Sequence, residues 1–107
     1  AKIKASKLAF QATEQEAIDY QFQLKSKYNQ LIHQLAKYQE AIDYYQSEGN
    51  VLATEITKAA EISYKTGEID FFQYIQSIEN AYQIKLTFLE NLNNYNQTAI
   101  AINYLTL

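Results

Sequence analysis

The sequence has no cysteine, proline, methionine or tryptophan, and only two glycines in 107 residues. With so few turn residues, the chain has few places to reverse. That excludes β-sandwiches, barrels and Rossmann-type folds, which need turn chemistry at every connection. Without cysteine there is no disulfide scaffold, no thiolate metal site and no cysteine nucleophile, although the compartment stays open. Arginine is also missing. All nine basic residues are lysine, and twelve acidic residues bring the net charge to −3. A nucleic-acid binder needs a basic stripe, and this chain has none. No apolar run approaches the roughly 18 residues of a membrane-spanning helix. The length allows at most one small domain, and 48% hydrophobic content marks a folded chain.

What is present is helical periodicity. In steps of seven, Ile3, Phe10, Ala17, Leu24, Leu31, Tyr38, Tyr45, Leu52 and Ala59 are all apolar or aromatic. A second series, offset by four, runs Tyr28, Leu35, Ile42, Gly49 and Ile56. Together they form a seam of period 3.5, the signature of coiled-coil packing. Glu, Gln, Lys and Asn fill most other positions. The seam predicts one helix over about 2–64, with a bend or weak point at 47–50 where Gly49 and Asn50 interrupt the pattern. Because the series through Tyr45 and Leu52 crosses Gly49 in step, the register is expected to continue through it.

The clearest local signal lies at 65–70. Gly67 suits the left-handed position just past a helix end. Asp70 is placed as the N-cap of the next helix, and Gln73 three residues on completes a capping box. Ile69 and Tyr74 occupy the positions of a hydrophobic staple. A second helix follows over about 71–105 with a broad apolar face. Ile75, Ile78, Tyr82, Leu89, Leu92 and Ala99 form one stripe, and Tyr74, Ala81, Phe88, Tyr95 and Ile102 form another beside it. Such width implies more than one neighbouring helix.

The expected fold is therefore all-α, a single long antiparallel helical hairpin. Reversal at Gly67 makes facing residue numbers sum to about 134, pairing Ile56 with Ile78, Tyr45 with Leu89, Ile42 with Leu92 and Gly49 with Lys85. Leu107 then reaches back only to Lys27. The residues before Lys27 overhang by roughly 40 Å, on a first helix of roughly 90 Å. Their seam lacks a partner, so the isolated segment is expected to self-associate, most simply as a dimer that buries both overhangs, an effect of isolating the segment and not its native assembly. Helical spacing from the first residues, with no stop signal in the last, reads as a segment of a larger protein.

The chain is poor in chemistry. His33, the single histidine, sits outside the main seam with Gln30 three residues before it, so no Glu-x-x-His metal pair forms. Nucleophilic triads, phosphate loops and zinc spacings are absent. The acidic residues read as the wet faces of amphipathic helices. The ten tyrosines read as helix-interface residues with a polar end. No catalytic residue, cofactor site or metal site is expected, and the chain is not read as an enzyme.

The turn carries a resemblance. Tyr64-x-x-Gly67-x-x-Asp70-Phe71-Phe72-x-Tyr74-Ile75 precedes an amphipathic helix with Leu89, Asn93, Tyr95 and Asn96. This pattern resembles the outer-membrane efflux protein (TolC-like) family. It looks most like the heavy-metal branch of CusC- and CzcC-type channels, or the channel-like C-terminal segment of CzcA/CusA-type heavy-metal pumps. The likeness covers Tyr64 to Leu107; residues 1–63 match only as a long helix that precedes the turn. The chain departs from the family pattern at Gln73, Ser77 and Ile69. With Ile69 where some members have a basic residue, no charge-locked aperture is implied.

The resemblance implies a segment of a periplasmic helical barrel in a Gram-negative-type envelope, part of a tripartite system exporting heavy-metal cations. The parent would be a trimer giving a twelve-helix tube. Its partners would be a periplasmic adaptor (membrane fusion) protein and an inner-membrane pump, with no nucleic acid and no membrane insertion by this segment. Tyr64, Gly67, Glu68 and Asp70 would form the hairpin tip, at once aperture and adaptor-docking surface. There Glu68 carboxylates would make an anionic collar, as acidic rings do in cation channels. The alternative reading is a generic coiled-coil protein–protein interaction module.

Overall fold

The structure is a computed structural model that describes residues 2–107. It is all-helical among the described residues, and it is the expected hairpin. The descending arm comprises α1 (Lys2–Tyr44), a π-helical turn (Tyr45–Gly49) and α2 (Asn50–Lys65), joined without a break. The ascending arm is α3 (Phe71–Thr106). The rod measures 92 × 24 × 15 Å, with a radius of gyration of 25.8 Å against roughly 13 Å for a compact domain of this size.

The arms meet along one seam. On the descending arm it is built from Leu24, Leu31, Leu35, Tyr38, Ile42, Tyr45 and Gly49, then Ala53, Ile56, Ala60 and Ser63. On α3 the inner face carries Tyr74, Ala81, Phe88, Tyr95 and Ile102, flanked by Ser77, Ile84, Asn91, Thr98 and Leu105. Only Leu31, Ile42, Ala60, Ala81, Thr98 and Gly49 are buried outright. A two-helix rod has no deeper core to offer.

The π-turn corrects the expected register. Seam spacings of three and four alternate up to Tyr45. Two fours then follow in succession, Tyr45 to Gly49 to Ala53, so eight residues replace the expected seven. The extra residue is taken up where the Asn50 N–H donates to the Tyr45 carbonyl, a bond from i+5 to i. The Ser47 hydroxyl donates to the Asp43 carbonyl at 2.9 Å and approaches that of Tyr44 at 3.3 Å, serving carbonyls where the α pattern gives way. Past the turn the descending arm is rotated. Ala53 and Ala60 face α3, whereas Leu52, 43% exposed, and Ala59 turn outward. The weak point expected at 47–50 is thus a π-turn at 45–49 that shifts the register.

Facing residues also differ from expectation by one. Tyr45 stacks on Phe88, not Leu89, with ring centroids 4.2 Å apart and planes inclined by 12°. Gly49 faces Ile84, not Lys85. A Cβ at Gly49 would lie 3.1 Å from Tyr45 Cδ2 and 3.5 Å from Ile84 Cγ2. The missing side chain therefore admits an isoleucine and a tyrosine ring, not a lysine stem. Residues 2–23 are exposed throughout, as the overhang requires. Leu31 and Lys27 lie against Ala101, Tyr104 and Leu105, where α3 ends.

Candidate functional site: the hairpin tip

The four residues expected at the tip are brought together there, each placed by local chemistry. Descending helix α2 ends in a Schellman motif. Gly67 has φ of 79°, the left-handed conformation that only glycine adopts without strain. The Glu68 N–H donates to the Ser63 carbonyl at 2.9 Å, and the Gly67 N–H donates to that of Tyr64 at 3.2 Å. Both bonds satisfy carbonyls that the end of the helix would leave unpaired. The Thr66 N–H reaches the Ile62 carbonyl at 3.0 Å, and that of Ile69 reaches Ser63 at 3.3 Å.

The ascending helix starts with the capping box in full. The Asp70 carboxylate accepts from the Gln73 N–H at 2.7 Å, and the Gln73 side chain accepts from the Asp70 N–H at 3.0 Å. Asp70 has φ −84° and ψ 176°, the extended geometry of an N-cap. Ile69 and Tyr74, the two staple positions, are both half-buried. Asp70 is therefore structural, and the backbone of Glu68 is structural while its side chain stands exposed.

Tyr64 anchors a cluster of aromatic rings. Its ring stacks on Tyr74 at 5.0 Å and meets Phe71 edge-on at 6.0 Å, and Phe71 lies 6.5 Å from Tyr74. Such offset and edge contacts add about 0.5–1.5 kcal/mol per pair beyond area burial. The cluster ties the two arms together above the turn. Beside it Phe72 is 73% exposed, and Ile62 and Phe71 are also exposed. Phe71 and Phe72 belong to the turn motif read from the sequence, and their exposure is what the structure adds.

Chemically the tip offers shape, apolar surface and a few carboxylates. No three His, Asp or Glu side chains converge as a metal ion would require, among the described residues. His33 is exposed on α1, far along the rod from the turn. No helix among the described residues is long and apolar enough to cross a membrane.

The second organised surface is the outer face of α3. Ile75, Tyr82, Leu86, Leu89 and Ile100 lie exposed along it, interleaved with Asn93 and Asn96. Tyr82 is 66% and Leu89 49% exposed. Of the stripe Ile75, Ile78, Tyr82, Leu89, Leu92 and Ala99, Leu89, expected opposite Tyr45, is exposed together with Ile75 and Tyr82, whereas Ile78, Leu92 and Ala99 are half-buried beside the seam. The reason is that Tyr74, Ala81 and Phe88, one position earlier, already fill the hairpin seam. No protein-family model, curated protein or solved structure matches the chain, so its functional reading rests on these surfaces and this turn.

Proposed function

We propose that the chain is a wall segment of the periplasmic helical barrel of a tripartite efflux system exporting heavy-metal cations, acting as a non-catalytic duct and adaptor-docking element. The carrying observation is that α3 bears two seams. One, through Tyr74, Ala81 and Phe88, is used inside the hairpin. The other, through Ile75, Tyr82, Leu86 and Leu89, is exposed. In a heptad wheel of seven positions the two seam centres lie three positions apart, or about 150°. A helix with apolar neighbours at about 150° suits a gently curved wall, which closes into a ring of roughly a dozen helices. A two-helix module with no further assembly needs only one seam.

The tip supports the docking part of this reading. A sharply capped turn presenting Tyr64, Phe71 and Phe72 beside Glu68 is a firm, amphipathic end for an adaptor's own helices. In a ring of protomers Glu68 would supply a collar of carboxylates that favours cations. Metal cations enter as cargo. The alternative, a coiled-coil interaction module, is favoured by the hairpin seam itself, which from Leu24 to the turn the two arms form without any other chain.

The experiment replaces Tyr82 and Leu89 with Glu in the intact parent. Loss of trimer assembly and of metal resistance is expected. Retention of both would exclude the barrel reading and leave the interaction module. Glu68→Gln tests the collar. Single-channel cation preference is expected to fall, and unchanged preference confines the tip to shape and docking.

A further inference from the structure

The overhanging end of α1 has its own charge arrangement. Between Lys2 and Leu24 there are six charged residues. Lys2, Lys4 and Lys7 come first, and Glu14, Glu16 and Asp19 follow, with no acid in the first block and no base in the second. The stretch carries the continuation of the hairpin seam, Ile3, Phe10, Ala17 and Leu24, and Ile3 and Phe10 are 79% and 70% exposed. Lys7 and Glu14 occupy the companion seam positions, four residues on from Ile3 and Phe10, as Leu35 is four on from Leu31.

We propose that this face is a self-association surface, and that its occupant is the same segment of a second copy running antiparallel about a two-fold axis near Phe10. Charge decides both the partner and the direction. In an antiparallel register centred between Phe10 and Gln11, Lys7 lies opposite the second copy's Glu14, Lys4 near its Glu16 and Lys2 opposite its Asp19. In this register the seam residues Lys7 and Glu14 pair with the opposite sign, and the outward-facing lysine block lies alongside the second copy's acidic block. A parallel, in-register pair would set Lys7 against Lys7 and Glu14 against Glu14 at seam positions, where like charges disfavour pairing. Phe10 meets its own copy at the axis, and Ile3 lies near Ala17. Lys7 and Glu14 act at short range, while the outward-facing Lys2, Lys4, Glu16 and Asp19 act as salt-screened blocks. Asp19 also accepts from the Gln15 side chain at 3.1 Å, which leaves its charge in place. The pairing is that of the 107-residue chain by itself and extends the rod end to end; in the barrel proposed above the same face would pack on other helices of the parent.

The test uses the 107-residue chain in sedimentation equilibrium. Lys7→Glu alone and Glu14→Lys alone each create two like-charge contacts per dimer and should weaken association about tenfold at low salt. The double variant should restore it, and added salt should weaken the original chain. Because the chain has no cysteine, introduced thiols report cleanly. A mixture of Ile3→Cys and Ala17→Cys chains should cross-link between copies far more than Ile3→Cys chains alone. The proposal is overturned by a monomer at high concentration, by charge variants without effect, or by dominant cross-linking of Ile3→Cys chains to themselves. Association abolished by Leu89→Glu but insensitive to Lys7→Glu would also overturn it, by moving the contact to α3.

Discussion

At the scale of single residues the two glycines have opposite reasons for being glycine. At Gly67 a Cβ would meet nothing within 4 Å, so the constraint is conformational, set by φ of 79°. Gly67→Ala is expected to cost about 1 kcal/mol in thermal unfolding, and Gly67→Asn less, because Asn tolerates the left-handed region. At Gly49, the last residue of the π-turn, φ of −63° and ψ of −40° suit any residue, and the constraint is space. Gly49→Leu is expected to cost about 1–3 kcal/mol by overpacking and to disturb the Tyr45–Phe88 stack, readable as a change in near-ultraviolet circular dichroism. Asp70→Ala should cost about 1 kcal/mol by denaturant titration, while Asp70→Asn, which can still cap, stays close to the original. The tip was legible residue by residue because its chemistry is local: Gly67, Asp70 and Gln73 act within seven positions of one another. The ring contacts of Tyr64 with Phe71 and Tyr74 needed the turn closed first.

At the scale of elements, the π-turn takes up one extra residue of the descending arm. A strict seven-residue step from Tyr45 lands on Leu52, and the structure uses Ala53 instead. Deleting Asn50, which is exposed and donates the i+5 bond, is expected to convert the stretch to regular α-helix while Ala53 and Ala60 stay in the seam. The melting temperature should change by only a few degrees. Deleting Gln34, exposed in the regular part of α1, should instead rotate every later seam residue by about 100° and abolish cooperative melting. Circular dichroism melts of the two deletions side by side make the comparison. In sequence the π-turn was visible only as a glycine within a seam. A heptad series and an eight-residue step both find small or apolar residues here, Leu52 or Ala53 and Ala59 or Ala60, so periodicity could not choose between them.

At the scale of the whole molecule the hairpin buries few apolar side chains outright and leaves many large ones exposed. α3 is apolar on two faces, and one arm covers only one of them. Replacing Leu86 and Leu89 with Glu is expected to change the stability of the monomeric hairpin by less than about 0.5 kcal/mol, since both are surface positions. Phe88→Ala, one position from Leu89 but in the seam, should cost about 2 kcal/mol, a half-buried share of a full Phe deletion. Urea unfolding of the two variants tests which face of α3 belongs to the hairpin and which to its neighbours. Equal losses would mean that the seam was assigned to the wrong face.

The sequence by itself determined the helices, their order, the place and chemistry of the reversal, and the overhang. These follow from local propensity, capping and the period of apolar residues, each readable within a few turns of helix. Only the tertiary structure decided which of two adjacent apolar stripes on α3 meets the first arm, and where the extra residue of the descending arm is absorbed. Both depend on how side chains of unlike size, the Tyr45 and Phe88 rings, Ile84 against Gly49 and Ala60 in the seam, fit across the interface. Rotating a helix by one position exchanges one apolar stripe for another at almost no cost in transfer energy, so only packing across the seam can tell them apart.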